Sequence, residues 1–241
     1  MSDQKNSVAE NDTFSSGISD AVHYTQWIVD TFKPYFGSEL LEVGLGAGNY
    51  MDYFPAVEKY KGVDYDAALI QALKTRYPER DYAEADLSLD SFIQIVKPNA
   101  YDTIFCSNVL EHIEEDTKAI DRLMTALKPG GKLLLLVPAF QQLYSDMDRL
   151  AGHHRRYTKS TLQHSWAHRP DHVVKLEYFN AIGGLGWWVQ KFSKVEELED
   201  PNLHKKIMFF DKYILPVSRA VNPLTKFIFG QSTIAVLEKA S

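Results

Sequence analysis

Two short stretches concentrate side chains able to move protons or hold charge. GHHRRYT, Gly152 to Thr158, sets His153, His154, Arg155, Arg156 and Tyr157 side by side, with Asp146 and Asp148 just upstream. EHIEED, Glu111 to Asp116, holds His112 among carboxylates. Imidazole titrates near neutral pH and can take a proton from an attacking hydroxyl, so His153 is the first candidate base and His112 the second. Tyr157 is a candidate orienting hydroxyl. Arg155 and Arg156 can orient a carboxylate or phosphate on a substrate, or pair with Asp146 and Asp148 to hold their own loop shut. The plainer reading of EHIEED is that Glu111 and His112 shape a wall, while Glu114 to Asp116 favour the positive end of the next helix.

Composition removes several alternatives. Asp146, Asp148, His153 and His154 carry metal-ligating atoms but in no established ligand spacing, and His164 with His168 suits a surface helix face. Cys106 is the only cysteine, which excludes a disulfide framework and a thiolate cluster. No metal is expected. A net charge of -6, without aromatic residues interleaved among the basic ones, argues against nucleic acid as a partner. No run is long and apolar enough to span a bilayer, and Met1 to Phe14 reads as a disordered polar tail rather than a secretory signal. A cytoplasmic location follows as the expectation.

The elements that must position these residues alternate in type. Short apolar runs at Glu39 to Gly44, Tyr60 to Asp64, Tyr82 to Ala85, Tyr101 to Ser107 and Lys132 to Val137 read as strands. Helical stretches at Asn49 to Phe54, Ala67 to Tyr77, Leu89 to Val96 and Asp116 to Leu127 separate them, and Ser19 to Phe36 reads as an amphipathic helix that can fold over a pocket. Alternation of this kind predicts an α/β fold with a mostly parallel sheet, and LLLLV fits its centre. Residues 19 to 241 read as one domain after a tail over 1 to 18.

LEVGLGAGNY, Leu41 to Tyr50, is a strand followed by a glycine-rich turn, which brings a ligand close to backbone N–H groups. Gly44, Gly46 and Gly48 follow the G-x-G-x-G spacing; the dinucleotide fingerprint would need glycine where Asn49 stands. Asp64 closes the next strand and can accept from ribose hydroxyls, Asp86 in EADL can accept from an adenine amino group, and Leu87 can pack on the ring.

EVGLGAG, GVDYD, EADL, YDTIFCSNVLEHIEED and LKPGGKLLLLVP together resemble class I S-adenosylmethionine-dependent methyltransferases over roughly residues 20 to 140. The resemblance implies a Rossmann-like, mostly parallel seven-stranded sheet with an antiparallel last strand. By it, Glu42, Gly44, Gly46 and Gly48 line the methionine side of S-adenosyl-L-methionine. Asp64 holds the ribose, Asp86 and Leu87 meet the adenine, and Asn108 with Val109 closes over the sulfonium. GHHRRYT, NAIGGLGWW and FGQSTIAVLEK further resemble a bacterial subgroup found beside glycosyltransferases.

Methyl transfer rests on alignment and exclusion of water, and a hydroxyl acceptor also needs a base. The connection leaving the fifth strand at Val137 and Pro138 starts at the ligand edge, which puts GHHRRYT on the acceptor side. Val173 to Phe179 and Ser232 to Glu238 fit two antiparallel edge strands, and residues 181 to 230 between them form a helical cap. Within it Ile207, Phe210, Ile214 and Val217 recur at helical spacing, and Pro216 is expected to kink or end that helix. Leu203 to Gly230 is basic and aromatic in an acidic chain, which suits packing on the domain, a homodimer partner, or a membrane carrying a lipid-linked saccharide. The leading expectation is O-methylation of a small-molecule or saccharide acceptor. The alternatives are N- or C-methylation of a small metabolite, a nicotinamide dehydrogenase disfavoured by Asn49, and a protein that binds the cofactor without turnover.

Overall fold

The computed structural model describes residues 21–191 and 201–241, so the tail expected over Met1 to Phe14 and the acidic EELED stretch lie outside the described residues. The strands are β1 (Glu39–Val43), β2 (Lys59–Asp64), β3 (Asp81–Glu84), β4 (Tyr101–Ser107), β5 (Leu127–Pro138), β6 (His172–Phe179) and β7 (Ser232–Glu238). They form one seven-stranded sheet in the order β3-β2-β1-β4-β5-β7-β6. The first five run parallel, and β7 runs antiparallel to both of its neighbours.

The expected antiparallel last strand forms as β7, which pairs antiparallel with β5 and β6. β7 is internal, and β6 forms the edge. Their sequences explain the order, because STIAVLE is buried almost throughout whereas HVVKLEYF is only partly covered over its first six residues.

Side chains alternate between the two faces with period two. Leu41, Ile104, Leu133 and Leu135 face a core completed by Ile120 and Leu123. Leu40, Phe105, Leu134 and Leu136 face the opposite core with Trp27, Ile28 and Phe32. Those partners come from α4 (Asp116–Ala126) and α1 (Val22–Phe32), with α2 (Ala67–Arg76) and α3 (Ser91–Val96) between them in the chain.

No regular helix forms over Asn49 to Phe54. The segment is a series of turns, with Met51 N–H donating to Gly48 O at 3.3 Å and Tyr53 N–H to Tyr50 O at 2.9 Å. Tyr50 and Phe54 pack on Phe105 at ring separations of 4.9 and 5.2 Å, and Pro55 cannot continue a ladder. Aromatic packing outweighs helix propensity here.

Beyond β5 the chain makes α5 (Asp146–Leu150) and α6 (Lys159–His164), and Thr158 caps α6 as expected, accepting from Thr161 N–H. The cap between β6 and β7 comprises α7 (Ala181–Gln190), α8 (Pro201–Phe209), a π-helical turn over Phe210–Ile214, and α9 (Leu215–Thr225). The break expected at Pro216 takes the form of that turn, after which Pro216 sits in the first turn of α9, where a missing N–H is tolerated. Asp211 in the π turn is buried and accepts from His23 N–H at 3.2 Å and Tyr24 N–H at 2.8 Å. α1 has no side-chain cap of its own, so this carboxylate satisfies its leading amides and ties the cap to the N-terminal helix.

Candidate active site

A cavity of about 610 Å³ opens at the carboxyl ends of β1, β2, β4 and β5. In parallel α/β sheets this edge is where ligands bind, because the strand-to-helix loops converge there. The glycine turn forms its floor. Gly44 has φ +79°, and a Cβ there would overlap Val109 Cγ2, so the close approach of these two loops depends on glycine. Asn108 holds a left-handed φ of 53° while its N–H donates to Leu136 O at 2.8 Å, which turns the chain at the end of β4 into the cavity wall.

Asp64 lines the cavity and is nearly buried. Its Oδ2 accepts from Leu45 N–H at 2.8 Å and Gly46 N–H at 3.4 Å, and its Oδ1 accepts from Asp66 N–H at 3.0 Å. Burial raises its pKa, and these backbone hydrogen bonds oppose the rise. The same carboxylate that ends β2 therefore also shapes the glycine turn. Asp86 and Leu87 line the neighbouring wall, with Asp86 Oδ1 held by Ser88 N–H at 2.8 Å and Ser88 Oγ at 2.6 Å.

Two of the residues expected on the methionine side stand back from the cavity lining. Glu42 is buried beneath the turn and accepts from Tyr60 Oη at 2.5 Å; burial pushes its pKa up to about 8, against the pull of that bond and of Arg80. Gly48 closes the turn through its N–H to Leu45 O at 2.9 Å. Gly44, Gly46, Asp64, Asp86, Leu87, Asn108 and Val109 do share the cavity wall.

GHHRRYT reaches the opposite wall, and its side chains separate into two groups. His153 and Arg156 line the cavity together with Asp148. Arg156 donates to Asp148 from Nε at 2.7 Å and from its second terminal nitrogen at 2.9 Å, and its guanidinium lies 5.1 Å from the Trp187 ring. His153 Nδ1 meets Asp148 Oδ1 at 2.8 Å, which leaves Nε2 as the nitrogen directed to Glu111 Oε1, 4.0 Å away. Burial alone would raise the Asp148 carboxyl, but hydrogen bonds from His153 and Arg156 hold its pKa down at about 2.

Of the two arginine pairings expected, one forms as expected and one does not. Arg155 pairs with Asp116 at 3.2 Å and donates to Glu114 O at 2.7 Å, while Asp146 pairs with Arg149. Tyr157 as an orienting hydroxyl is corrected outright. It is buried away from the cavity lining, and its Oη donates to Asp116 Oδ2 at 2.9 Å, so it anchors the loop.

Glu111 is fully buried, and among the described residues neither of its oxygens has a hydrogen-bond partner. Burial pushes its pKa up to about 7, partly offset by His153 and Arg156. His112 stacks edge-on to His153 at 4.7 Å between ring centres. The protein around its ring and the nearby histidines hold its pKa down at about 4, although it keeps an exposed edge. Glu111, His112 and His153 bring one carboxylate oxygen and two ring nitrogens within 4.8 Å of one another, the described grouping whose donor set suits a divalent ion. It differs from the Asp146, Asp148, His153, His154 set considered from the sequence.

The cavity also recruits residues the motifs did not single out. Tyr65, directly after Asp64, lines it too, and Tyr24, Trp187 and Gln231 reach it from α1, α7 and the loop before β7. Tyr65 was legible as an aromatic following the carboxylate; the others come from elements distant in sequence.

The donor set fits S-adenosyl-L-methionine. Gly44 and Gly46 hold left-handed backbone at the cavity wall, two carboxylates end or follow adjacent strands, and Leu87, Val109 and Ile113 supply apolar wall. Residues 41–135 match the family model described as a methyltransferase domain. Over 103 residues the chain is 29% identical to trans-aconitate 2-methyltransferase of Rhizobium rhizogenes, covering 41% of this chain and 38% of that one. It is 27% identical over 112 residues to a ubiquinone biosynthesis O-methyltransferase of Albidiferax ferrireducens, covering 44% and 43%. Matches to the curated relatives span between about a quarter and about half of their length. A solved SAM-dependent methyltransferase from Archaeoglobus fulgidus superposes with a TM-score of 0.60 at 17% identity, covering 90% of this chain and 94% of that one. Residues 41–135 thus match a methyltransferase domain, and they sit on a fold shared with solved SAM-dependent methyltransferases.

Proposed function

We propose that the chain transfers a methyl group to a hydroxyl of a small-molecule or saccharide acceptor, with His153 as the base. One observation carries the assignment of the base. Asp148 engages His153 through Nδ1, which leaves Nε2 of this cavity-lining ring as the nitrogen able to take a proton, the arrangement in which a carboxylate fixes tautomer and orientation for proton transfer.

S-adenosyl-L-methionine, when bound, supplies an electrophilic methyl group and loses its positive charge on transfer. Gly44 and Gly46 would bring backbone amides to its amino-acid end, Asp64 would receive its ribose, and Asp86 with Leu87 its adenine. Asn108 and Val109 close the side toward the acceptor. His153 Nε2 takes the hydroxyl proton, and Asp148 stabilises the resulting imidazolium by charge and by the Nδ1 bond. Glu111, unpartnered beyond Nε2, adds a second carboxyl group to the same side. Arg156 holds Asp148 in place and, stacked on Trp187, forms a rigid polar wall against which a sugar can lie. A saccharide on a lipid carrier would present its hydroxyl to this wall and its apolar carrier to the cap.

Labelled-methyl transfer to candidate hydroxyl acceptors, alongside calorimetry with S-adenosyl-L-methionine, tests the reading. Cofactor binding with no turnover on any hydroxyl acceptor, but turnover on amines, would replace O-methylation by N-methylation.

A further inference from the structure

The cap has two faces, and only the inner one is explained by the domain beneath it. Asp211, Leu215 and Ser218 point inward: Asp211 to α1, Leu215 into the core beside Trp27 and Phe179, and Ser218 Oγ to Asn180 Oδ1 at 2.6 Å. The outer face is apolar. Phe209, Tyr213, Val217 and Leu224 are 57, 56, 54 and 78% exposed, and their intervals of four, four and seven keep them on one side of the helical segment. Phe227 and Ile228 continue the exposed apolar surface past its end. Isolated exposed apolar residues are ordinary, but a row of large ones marks an interaction surface.

A second row identifies its chemistry. Lys205, Lys212, Arg219 and Lys226 recur at seven-residue intervals along the same segment; Arg219 and Lys226 pair with Asp30 and Glu177 of the domain at 3.2 and 2.8 Å, while Lys205 and Lys212 stand exposed. The one acidic residue between Leu203 and Gly230 is Asp211, and it is turned inward. The chain as a whole carries -6. An acidic protein with one basic, aromatic face would meet an anionic surface in a single orientation. A two-fold copy of the chain would instead bring the same basic row against itself. Among the described residues no helix is long and apolar enough to cross a membrane, so the surface suits adsorption rather than insertion.

We propose that the outer face of α8, the π turn and α9 docks on an anionic membrane surface. Phe209, Tyr213, Val217 and Leu224 enter the headgroup boundary, and the exposed Lys205 and Lys212 meet the lipid phosphates. α7 packs against α9 and carries Trp187 into the cavity wall, so docking would set the acceptor cavity beside the lipid surface. The inference stands on the surface alone and does not require the methyl-transfer reading.

The test is sedimentation of the full chain with vesicles of phosphatidylcholine and of phosphatidylcholine mixed with phosphatidylglycerol, without acceptor. The expected result is binding to the anionic vesicles at least about tenfold stronger than to neutral ones, weakening with added salt. Phe209→Ser with Leu224→Ser, and separately Lys205→Glu with Lys212→Glu, should each reduce binding about tenfold or more while leaving S-adenosylmethionine affinity unchanged. Failure to bind anionic vesicles overturns the proposal. So does a concentration-dependent dimer that these substitutions disrupt in the absence of vesicle binding. Loss of turnover in His153→Ala with vesicle binding intact concerns catalysis only.

Discussion

His153 Nδ1 lies 2.8 Å from Asp148 Oδ1, and this contact joins the proposed base to the buried ion pair that shapes its wall. Asp148 lies in α5 and His153 in the loop that follows it, with Arg156 gripping the same carboxylate. Any change to Asp148 therefore acts on the chemistry and on the loop together.

His153→Ala should lower turnover on a hydroxyl acceptor on the order of 100- to 10,000-fold, the usual worth of a positioned base. Calorimetry should show S-adenosylmethionine affinity unchanged. Near-normal turnover would remove His153 from the mechanism.

Asp148→Asn should cost turnover and also stability, because it leaves the Arg156 guanidinium buried beside a neutral group. Breaking such a buried pair costs about 3–5 kcal/mol. Denaturant unfolding reads the loss, and a variant as stable as the parent would mean that Arg156 finds another partner. The Asp148 carboxyl is held at a pKa of about 2, so its stabilisation is present above the ordinary carboxylate range and is lost as pH falls through about 2.

Glu111→Gln should make stability less sensitive to alkali. Burial raises the folded carboxyl from 4.5 to about 7, so the folded chain holds this proton more tightly than the unfolded chain does. A raised carboxyl contributes stability at low pH that drains away as pH rises through about 7. The variant should therefore melt increasingly above the parent between about pH 4.5 and about pH 7, and by a nearly constant margin above that. A pH-independent difference in Tm would show that Glu111 is not the group responsible.

Tyr157→Phe separates the loop anchor from the catalytic wall. Removing the bond to Asp116 should cost about 2 kcal/mol of stability, as for a hydrogen bond to a charged group. kcat should stay within about threefold, a shift well below the loss of a base. A collapse of kcat with stability retained would restore the phenol to the reaction.

Gly44→Ala should weaken S-adenosylmethionine binding, measured by calorimetry. The left-handed backbone alone disfavours a side chain by about 1–2 kcal/mol, and the new Cβ would push Val109 out of the wall. Unchanged affinity would mean that the turn does not cradle the cofactor.

Much of the cofactor side was legible because it depends on local features. Strands ending in a glycine turn, in Asp64 and just before Asp86 are set by short apolar runs and turn residues, and parallel topology carries such ends to one edge whatever the rest of the chain does. The central place of LLLLV was readable for the same reason, since a strand apolar at every position must be covered on both faces. The helix expected over Asn49 to Phe54 was not secure at that level, because Tyr50 and Phe54 answer to Phe105, far along the chain.

The acceptor side was a different case. GHHRRYT could be placed near the reactive edge from its position after β5, but residue type does not tell which of its side chains turn inward. That was decided by partners distant in sequence: Asp116 draws off Arg155 and Tyr157, and Glu111 stands opposite His153, while Asp148 across the loop retains His153 and Arg156. The sequence by itself determined the sheet, its ligand edge and the carboxylates that stand on that edge, since these follow from local patterning. Only the tertiary structure decided which imidazole meets a carboxylate and which hydroxyl is spent on anchoring, because those outcomes depend on buried charges brought together by the fold.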